Sequence, residues 1–170
     1  MNDPSSITIR PLALADEPFL WEMLYLALYV PEGADPFPRD IVRSPEISRY
    51  AQGWGRAGDL GFVAVSDETR SPAGATWIRL LKGANKGYGY VDETTPELTI
   101  AVAPALRGRG VGTKLLAHLM AEAKNRYQAV SLSVSADNPA LRLYQRSGFE
   151  VIATSGKSFT MVKRLTTGDR

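Results

Sequence analysis

The side chains and backbone groups best suited to holding a ligand crowd into one stretch. Arg107-Gly108-Arg109-Gly110-Val111-Gly112 places glycine at every second position among two cations, with Thr113 and Lys114 following. Glycine lacks Cβ, so a ligand can approach the backbone and successive N–H groups can point the same way. Ahead of this run, Leu98 to Val102 is apolar and β-branched and is closed by Pro104, which predicts a buried strand ending at a bend. Behind it, Leu115, Leu116, Leu119, Met120 and Ala123 recur at helical spacing as far as about Arg126. A helix N-terminus with unpaired N–H groups, a positive dipole end and flanking Arg107, Arg109 and Lys114 suits an anion of the pyrophosphate kind. The GxGxG spacing differs from the GxGxxG of dinucleotide folds, and no GK[ST] follows as in a P-loop. The run therefore predicts a cradle for some other phosphorylated cofactor, although a plain tight turn can use the same residues.

Composition bounds the classes open to the chain. Its 170 residues suffice for one domain with a substantial core, and residues 1–170 are read as one. The formal charge of +2, from 20 basic and 18 acidic residues interspersed along the chain, gives no sign of a nucleic-acid groove or polybasic membrane patch. No cysteine is present, which removes disulfides, thiolate metal sites and a cysteine nucleophile. His118 is the single histidine, lies off the apolar stripe of its helix and has no partner for a metal site, so no metal is expected. The N-terminal segment lacks a charged n-region and an apolar h-region, and no apolar run reaches the roughly 18 residues of a membrane span. A cytoplasmic protein is expected.

The elements that must position the cradle follow in order. Ser6 to Leu12 alternates as a strand, and a helix then runs from a cap at Asp16 through Phe19, Leu20, Met23, Leu24, Ala27 and Leu28. Trp21, Tyr25 and Tyr29 make a second stripe along it, suited to a pocket wall, to core or to a subunit contact. Val30 to Ser44 is a proline-rich loop and Pro45 to Gln52 a second helix. Gly61 to Ser66 and Gly74 to Leu81 form an antiparallel hairpin. Lys82 to Pro96 is a glycine-rich loop whose Tyr88, Tyr90, Asp92 and Glu93 either select an amine or belong to a merely solvated connection. After the cradle helix, Val130 to Val134 completes a β-α-β unit and lies parallel to the strand at 98–102. A short helix from Asn138-Pro139-Ala140 to Arg146 and two strands, Phe149 to Ala153 and Phe159 to Lys163, close the fold, with a frayed tail from Leu165 to Arg170. The fold class is α+β, a mixed and mostly antiparallel sheet flanked by helices.

Two segments together resemble the GNAT superfamily of N-acetyltransferases. Arg107-x-x-Gly110-x-Gly112 after its strand is similar to the superfamily's acetyl-coenzyme A signature [QR]xxGx[GA]. Asn138-Pro139-Ala140-Leu141-Arg142-Leu143-Tyr144, ending in Ser147-Gly148-Phe149, is similar to its later N-x-x-A-x-x-L-Y-x-x-x-G-F motif, with Ala140 one place early as in the NPAxxLY variant. The motifs cover roughly 97–150, and the first 60 residues match in layout only. The resemblance implies that backbone N–H groups of Arg107, Gly108, Arg109, Gly110, Val111, Gly112 and Thr113 hold the pyrophosphate of acetyl-coenzyme A. It implies that the strand edge at Ile100, Ala101 and Val102 pairs with the pantetheine arm, and that Asn138 bonds the same arm.

An alkylamine of pKa near 10.4 is neutral in only about one molecule in 2,500 at pH 7, so deprotonation costs roughly 4.6 kcal/mol and acyl transfer to it benefits from a base. Glu97 at the mouth of the central strand is the candidate, acting directly or through a water, with Asp92 or Glu93 as substitutes; a plain surface carboxylate is the other reading. Tyr144 is placed to protonate the departing thiolate, as the corresponding tyrosine does in many relatives, or else it only packs. Without cysteine, direct attack in a ternary complex is expected. The chain thus reads as an acetyltransferase acting on a primary amine, most simply a small molecule, with a non-catalytic acyl-coenzyme A sensor as the alternative. No nucleic acid or membrane partner is expected, and a homodimer through the aromatic stripe or the last strands stays open.

Overall fold

A computed structural model describes residues 6–165. Its strands are β1 (Ile7–Pro11), β2 (Leu60–Ser66), β3 (Pro72–Arg79), β4 (Glu97–Val102), β5 (Ala129–Ser135), β6 (Glu150–Ser155) and β7 (Ser158–Arg164). Its α-helices are α1 (Glu17–Ala27), α2 (Pro45–Ser48), α3 (Val111–Ala123) and α4 (Ala140–Arg146). The strands form one 7-stranded sheet in the order β1-β2-β3-β4-β5-β7-β6. β4 and β5 are parallel, and every other neighbouring pair is antiparallel. The parallel pair is joined by the α3 crossover, which carries the chain back so that β5 runs in the same direction as β4. The mixed, mostly antiparallel sheet with one β-α-β unit is the architecture the sequence implied.

The sheet separates two apolar layers. On one face, Leu115, Leu116 and Leu119 of α3 pack on Leu98, Val130 and Leu132. On the other, Leu20, Met23 and Leu24 of α1 pack on Ala75, Trp77 and Ala101. Strand alternation makes this division, since β4 sends Leu98 one way and Ala101 the other. Burying each such leucine contributes roughly 1.5–3 kcal/mol relative to an exposed position. The α1 and α3 layers therefore clamp β4 from both sides.

Some elements depart from the sequence reading. Helix α1 stops at Ala27 with an extended Leu28, so Tyr29 leaves the stripe begun by Trp21 and Tyr25. Asp16 stands before α1 without capping it; its carboxylate instead takes the Arg10 guanidinium at 2.8 and 3.0 Å and the Ala13 N–H at 2.7 Å. The loop at 30–44 holds a 3-10 turn at Arg39–Arg43, fixed where Arg39 and Arg43 lie over the rings of Tyr25 and Trp21 at 4.3 and 4.2 Å. Helix α2 has 4 residues, and single turns continue it to Gln52. Leu165 is bonded to Gln128 O at 2.8 Å and packs on the core, so the fray does not begin there; the rest of that tail, 166–170, lies outside the described residues.

One buried ion pair fixes the turn that follows α2. Arg79 lies in β3 with a side chain 1% exposed, and its guanidinium meets both oxygens of Asp59 at 3.0 Å. Its remaining donors reach Arg49 O, Gln52 O and Gly53 O. Trp77 Nε1–H donates to Tyr50 O at 2.7 Å. A guanidinium with every donor satisfied tolerates burial, and the two residues together hold Tyr50 beneath the start of β4.

Candidate active site

The head of α3 presents a row of free donors. Gly108 and Gly110 have φ of +75° and +81°, a left-handed conformation that side chains resist, and this turns the chain into the helix. The first helical bond is Lys114 N–H to Gly110 O at 3.1 Å. The N–H groups from Gly108 to Thr113 have no backbone acceptor among the described residues, whereas the Arg107 N–H, expected in the same row, is taken by Pro104 O at 3.3 Å where the 3-10 turn before the cradle closes. They converge with the positive end of the helix dipole, and Arg109, Thr113 and Lys114 are exposed around them. Gly112 serves a different end from the other two glycines. Its backbone is regular helix, and it lies over Leu143, Ile100 and Val102, where a Cβ would make only ordinary contact at 3.4 to 3.9 Å.

β4 and β5 splay apart beside this row. They pair at Glu97 and Ser131, supported by Ser131 N–H to Pro96 O at 3.0 Å, and no further register is shared. On the other edge of β4 the ladder to β3 is complete, and Ala103 N–H donates to Ala73 O at 2.7 Å. Antiparallel hydrogen bonding alternates, so Ala101 and Thr99 turn their polar groups to β3 while Ile100 and Val102 turn theirs to the gap. Arg107 Nε–H takes the Val102 carbonyl at 3.1 Å. The N–H and C=O of Ile100 and the N–H of Val102 are left facing the opening. Of the three strand residues singled out, Ile100 and Val102 thus offer backbone to a ligand, whereas Ala101 lines the cavity but its peptide belongs to the sheet.

Two cavities, of about 320 and 570 Å3, meet in the splay and share Ala27, Leu28, Tyr29, Ile100, Asn138 and Tyr144. The larger runs past Val102, Arg107 and Gly112 toward the α3 head, with Pro36 and Phe37 of the 30–44 loop as its outer wall. The smaller runs the other way, to Glu97, Tyr50 and Tyr88. The site is a passage through the sheet with two mouths, one toward the anion cradle and one toward a carboxylate.

Glu97 is 2% exposed and held by three donors. Its Oε1 accepts from Tyr50 O–H at 3.0 Å and Gly89 N–H at 2.8 Å, and its Oε2 accepts from Gly87 N–H at 2.9 Å. Burial raises its pKa above the ordinary carboxylate value, and these hydrogen bonds oppose the shift. The Tyr50 oxygen also accepts from Tyr88 N–H at 2.7 Å. One buried carboxylate thereby folds the glycine-rich loop back over the cavity. The loop needs glycine to lie so close: a Cβ at Gly89 would come within 2.7 Å of the Leu132 backbone, and one at Gly87 would overlap Tyr50 and Glu97.

Tyr144 faces both cavities from α4, with its ring edge-on to Phe149 at 5.9 Å. Burial alone pushes its phenol well up, so it is fully protonated at neutral pH. Asn138 stands just before α4 and uses Oδ1 to accept Ala140 N–H at 2.9 Å, a turn bond that leads into the helix and leaves its amide N–H groups for the cavities it lines. Tyr29 O–H donates to Asp137 O at 3.1 Å, tying the end of α1 to the same turn.

The other candidates lie elsewhere. Asp92 accepts from Thr94 and is held below the usual carboxylate range chiefly by the Thr95 hydroxyl; neither it nor Glu93 lines either cavity. His118 is exposed, bonded to Lys114 O and tilted against Phe62 at 5.9 Å. No cluster of three His, Cys, Asp or Glu side chains able to hold a metal ion occurs among the described residues, and no helix among them is long and apolar enough to cross a membrane. Sequence reasoning missed Tyr50, whose link to Glu97 spans 47 positions and leaves no local pattern. The repeated Gly-Tyr of Gly87 to Tyr90 was the one trace of it.

Comparison with known proteins agrees with this geometry. The family model described as acetyltransferase (GNAT) family matches residues 21–149. A mycothiol acetyltransferase of Brachybacterium faecium is 36% identical over 117 residues, which are 65% of this chain and 32% of that protein. An L-2,4-diaminobutyric acid acetyltransferase of Nocardia farcinica is 28% identical over 113 residues, 59% of this chain and 58% of that protein. The chain thus spans about a third of the one relative and somewhat over half of the other. Among solved structures, the PaiA N-acetyltransferase of Thermoplasma acidophilum in complex with coenzyme A superposes with a TM-score of 0.66 at 20% identity, covering 94% of this chain and 99% of that one.

Proposed function

The chain belongs to the acetyltransferase (GNAT) family, and from that premise we propose that it acts as one domain that transfers an acetyl group from acetyl-coenzyme A to a primary amine of a small molecule. The observation that carries this reading is the splay. It leaves the Ile100 backbone and the Val102 N–H unpaired in line with the free N–H row at the head of α3, so one strand edge and one helix terminus can hold an amide-bearing arm and its pyrophosphate together.

Acetyl-coenzyme A supplies an acyl group already activated as a thioester. The N–H groups of Gly108 to Thr113 bind its pyrophosphate, with Arg107, Arg109 and Lys114 adding charge. Ile100, Val102 and the Asn138 amide bond the arm and aim it at the junction of the two cavities. Glu97 takes the proton of the incoming ammonium, directly or through a water, at the acceptor position that Oε2 keeps open beside Gly87. Tyr144, kept protonated by its burial, gives a proton to the departing thiolate. The absence of cysteine favours direct attack over a thiol-borne acyl-enzyme.

The test is release of free coenzyme A thiol from acetyl-coenzyme A in the presence of a panel of primary amines, with the product amide identified by mass. Amine-dependent thiol release supports transfer. Binding of acetyl-coenzyme A with no thiol released for any amine would make the protein a sensor instead.

A further inference from the structure

Resting on the reading of this cleft as an amine acetylation site, we propose that its acceptor is a compact monoamine that carries one positive charge, an aromatic or hydroxylated body and no acid group. The charge inventory of the smaller cavity leads there. Glu97 is the one carboxylate among its lining residues, and no lysine, arginine or histidine lines it. Arg49 is the guanidinium whose charge reaches Glu97, but it stands outside the cavity lining, where its Nε and Nη1 donate to the carbonyls of Pro45, Ala84 and Lys86. An acceptor carrying a carboxylate or phosphate would bring that charge out of water beside Glu97 with no cation to meet it.

A second ammonium is excluded by the same count. A carboxylate has about four acceptor positions. Tyr50, Gly89 and Gly87 occupy three of those on Glu97, so one remains, on Oε2. It can receive a single N–H from one ammonium, and a diamine would leave its other charge in the cavity unpaired.

The walls describe the body between charge and mouth. Leu24, Leu28 and Ile47 form an apolar side, with the rings of Tyr50 and Tyr88 continuing it to the opening. Opposite them, β5 and β7 present Ser133, Ser135 and Ser158. A flat ring fits against the first side, and neutral hydroxyls on it can bond the second. The cavity volume of about 320 Å3 is at the small end for ligand sites, which suits an acceptor of one ring.

The test compares tyramine, tyrosine and putrescine as acceptors for the purified full chain, reading thiol release as kcat/KM, with acetyl-coenzyme A binding measured by calorimetry on the same preparation. Tyrosine is tyramine with an added carboxylate, and putrescine is a diamine without a ring. Tyramine should exceed each of the others by about 100-fold or more, the scale of an unpaired charge in a binding site. A Ser133→Arg variant, which supplies a cation on the hydroxylated wall, should narrow the tyramine-to-tyrosine ratio about tenfold or more. Equal turnover of tyrosine or putrescine, or an unchanged ratio in the variant, would overturn the proposal. So would failure of all three amines while acetyl-coenzyme A still binds. Loss of acetyl-coenzyme A binding itself would instead overturn the reading on which the proposal rests.

Discussion

Replacing Glu97 by glutamine separates chemistry from architecture. The amide matches the carboxylate in size but offers one acceptor oxygen, so it can keep Tyr50 and Gly89 or Gly87, and not all three donors now held at 2.8 to 3.0 Å. It also cannot take a proton. If Glu97 is the base, turnover at pH 7 should fall about 10²- to 10⁴-fold, the span that general bases contribute. The variant would then depend on amine that is already neutral. That fraction rises about 300-fold between pH 7 and 9.5 for an amine of pKa near 10.4, and the variant's kcat/KM should rise with it, while the wild type rises less. The wild type should lose activity on the acid side as Glu97 protonates, at a pH above the ordinary carboxylate range because burial raises its pKa, and this acid limb should vanish in the variant. The assay is thiol release across pH 5.5 to about 9.5 in a constant-ionic-strength buffer. A variant whose pH profile runs parallel to the wild type, merely lower, would refute the argument and leave Glu97 as the anchor of the Gly87–Tyr90 loop.

Other outcomes follow from the same geometry. Tyr144→Phe should lower kcat by roughly ten- to a thousandfold with affinity for coenzyme A nearly unchanged, because the ring stays packed on Phe149 while the proton donor is lost; unaltered turnover in steady-state assays would remove Tyr144 from the reaction. Gly110→Glu should abolish coenzyme A binding by setting a carboxylate in the cradle, whereas Gly33→Glu, equally strained at φ +83° against +81° and equally open but outside the α3 head, should leave binding intact in the same titration. Asp59→Ala should cost about 3–5 kcal/mol in urea unfolding, since it strands a guanidinium in the interior; a loss under about 1 kcal/mol would mean that the carbonyls of Arg49, Gln52 and Gly53 suffice for Arg79.

What could be read from the sequence was local. The strand at 98–102 and the Arg107 to Gly112 turn lie in one continuous segment, and periodicity with glycine spacing was enough to place them. Asn138 and Tyr144 came from a second such segment, since the turn into α4 and the helix's inward face lie within a few residues. Long-range partners left no such mark. Tyr50 meets Glu97, Arg79 meets Asp59, and β7 enters the sheet between β5 and β6, all through packing that neither partner's neighbours encode. The glycines at 87 and 89 left an amine-selecting loop and a solvated connection equally open, because the reason for them is the β5 backbone and a carboxylate, each distant in sequence or turned inward. Helix α1 was read as longer than it is for a related reason: Tyr29 is drawn out of the helical stripe by the Asp137 carbonyl.

The central claim is that the splay and the α3 head together bind an acyl-coenzyme A, and calorimetric titration of the purified chain tests it most directly. Acetyl-coenzyme A and free coenzyme A should both bind at one site per chain, while ATP, which has phosphates but no arm to pair with Ile100 and Val102, should not. Equal binding of ATP would contradict the role of the strand edge, and no binding of either coenzyme A form would contradict the cradle and, with it, the roles given to Glu97 and Tyr144.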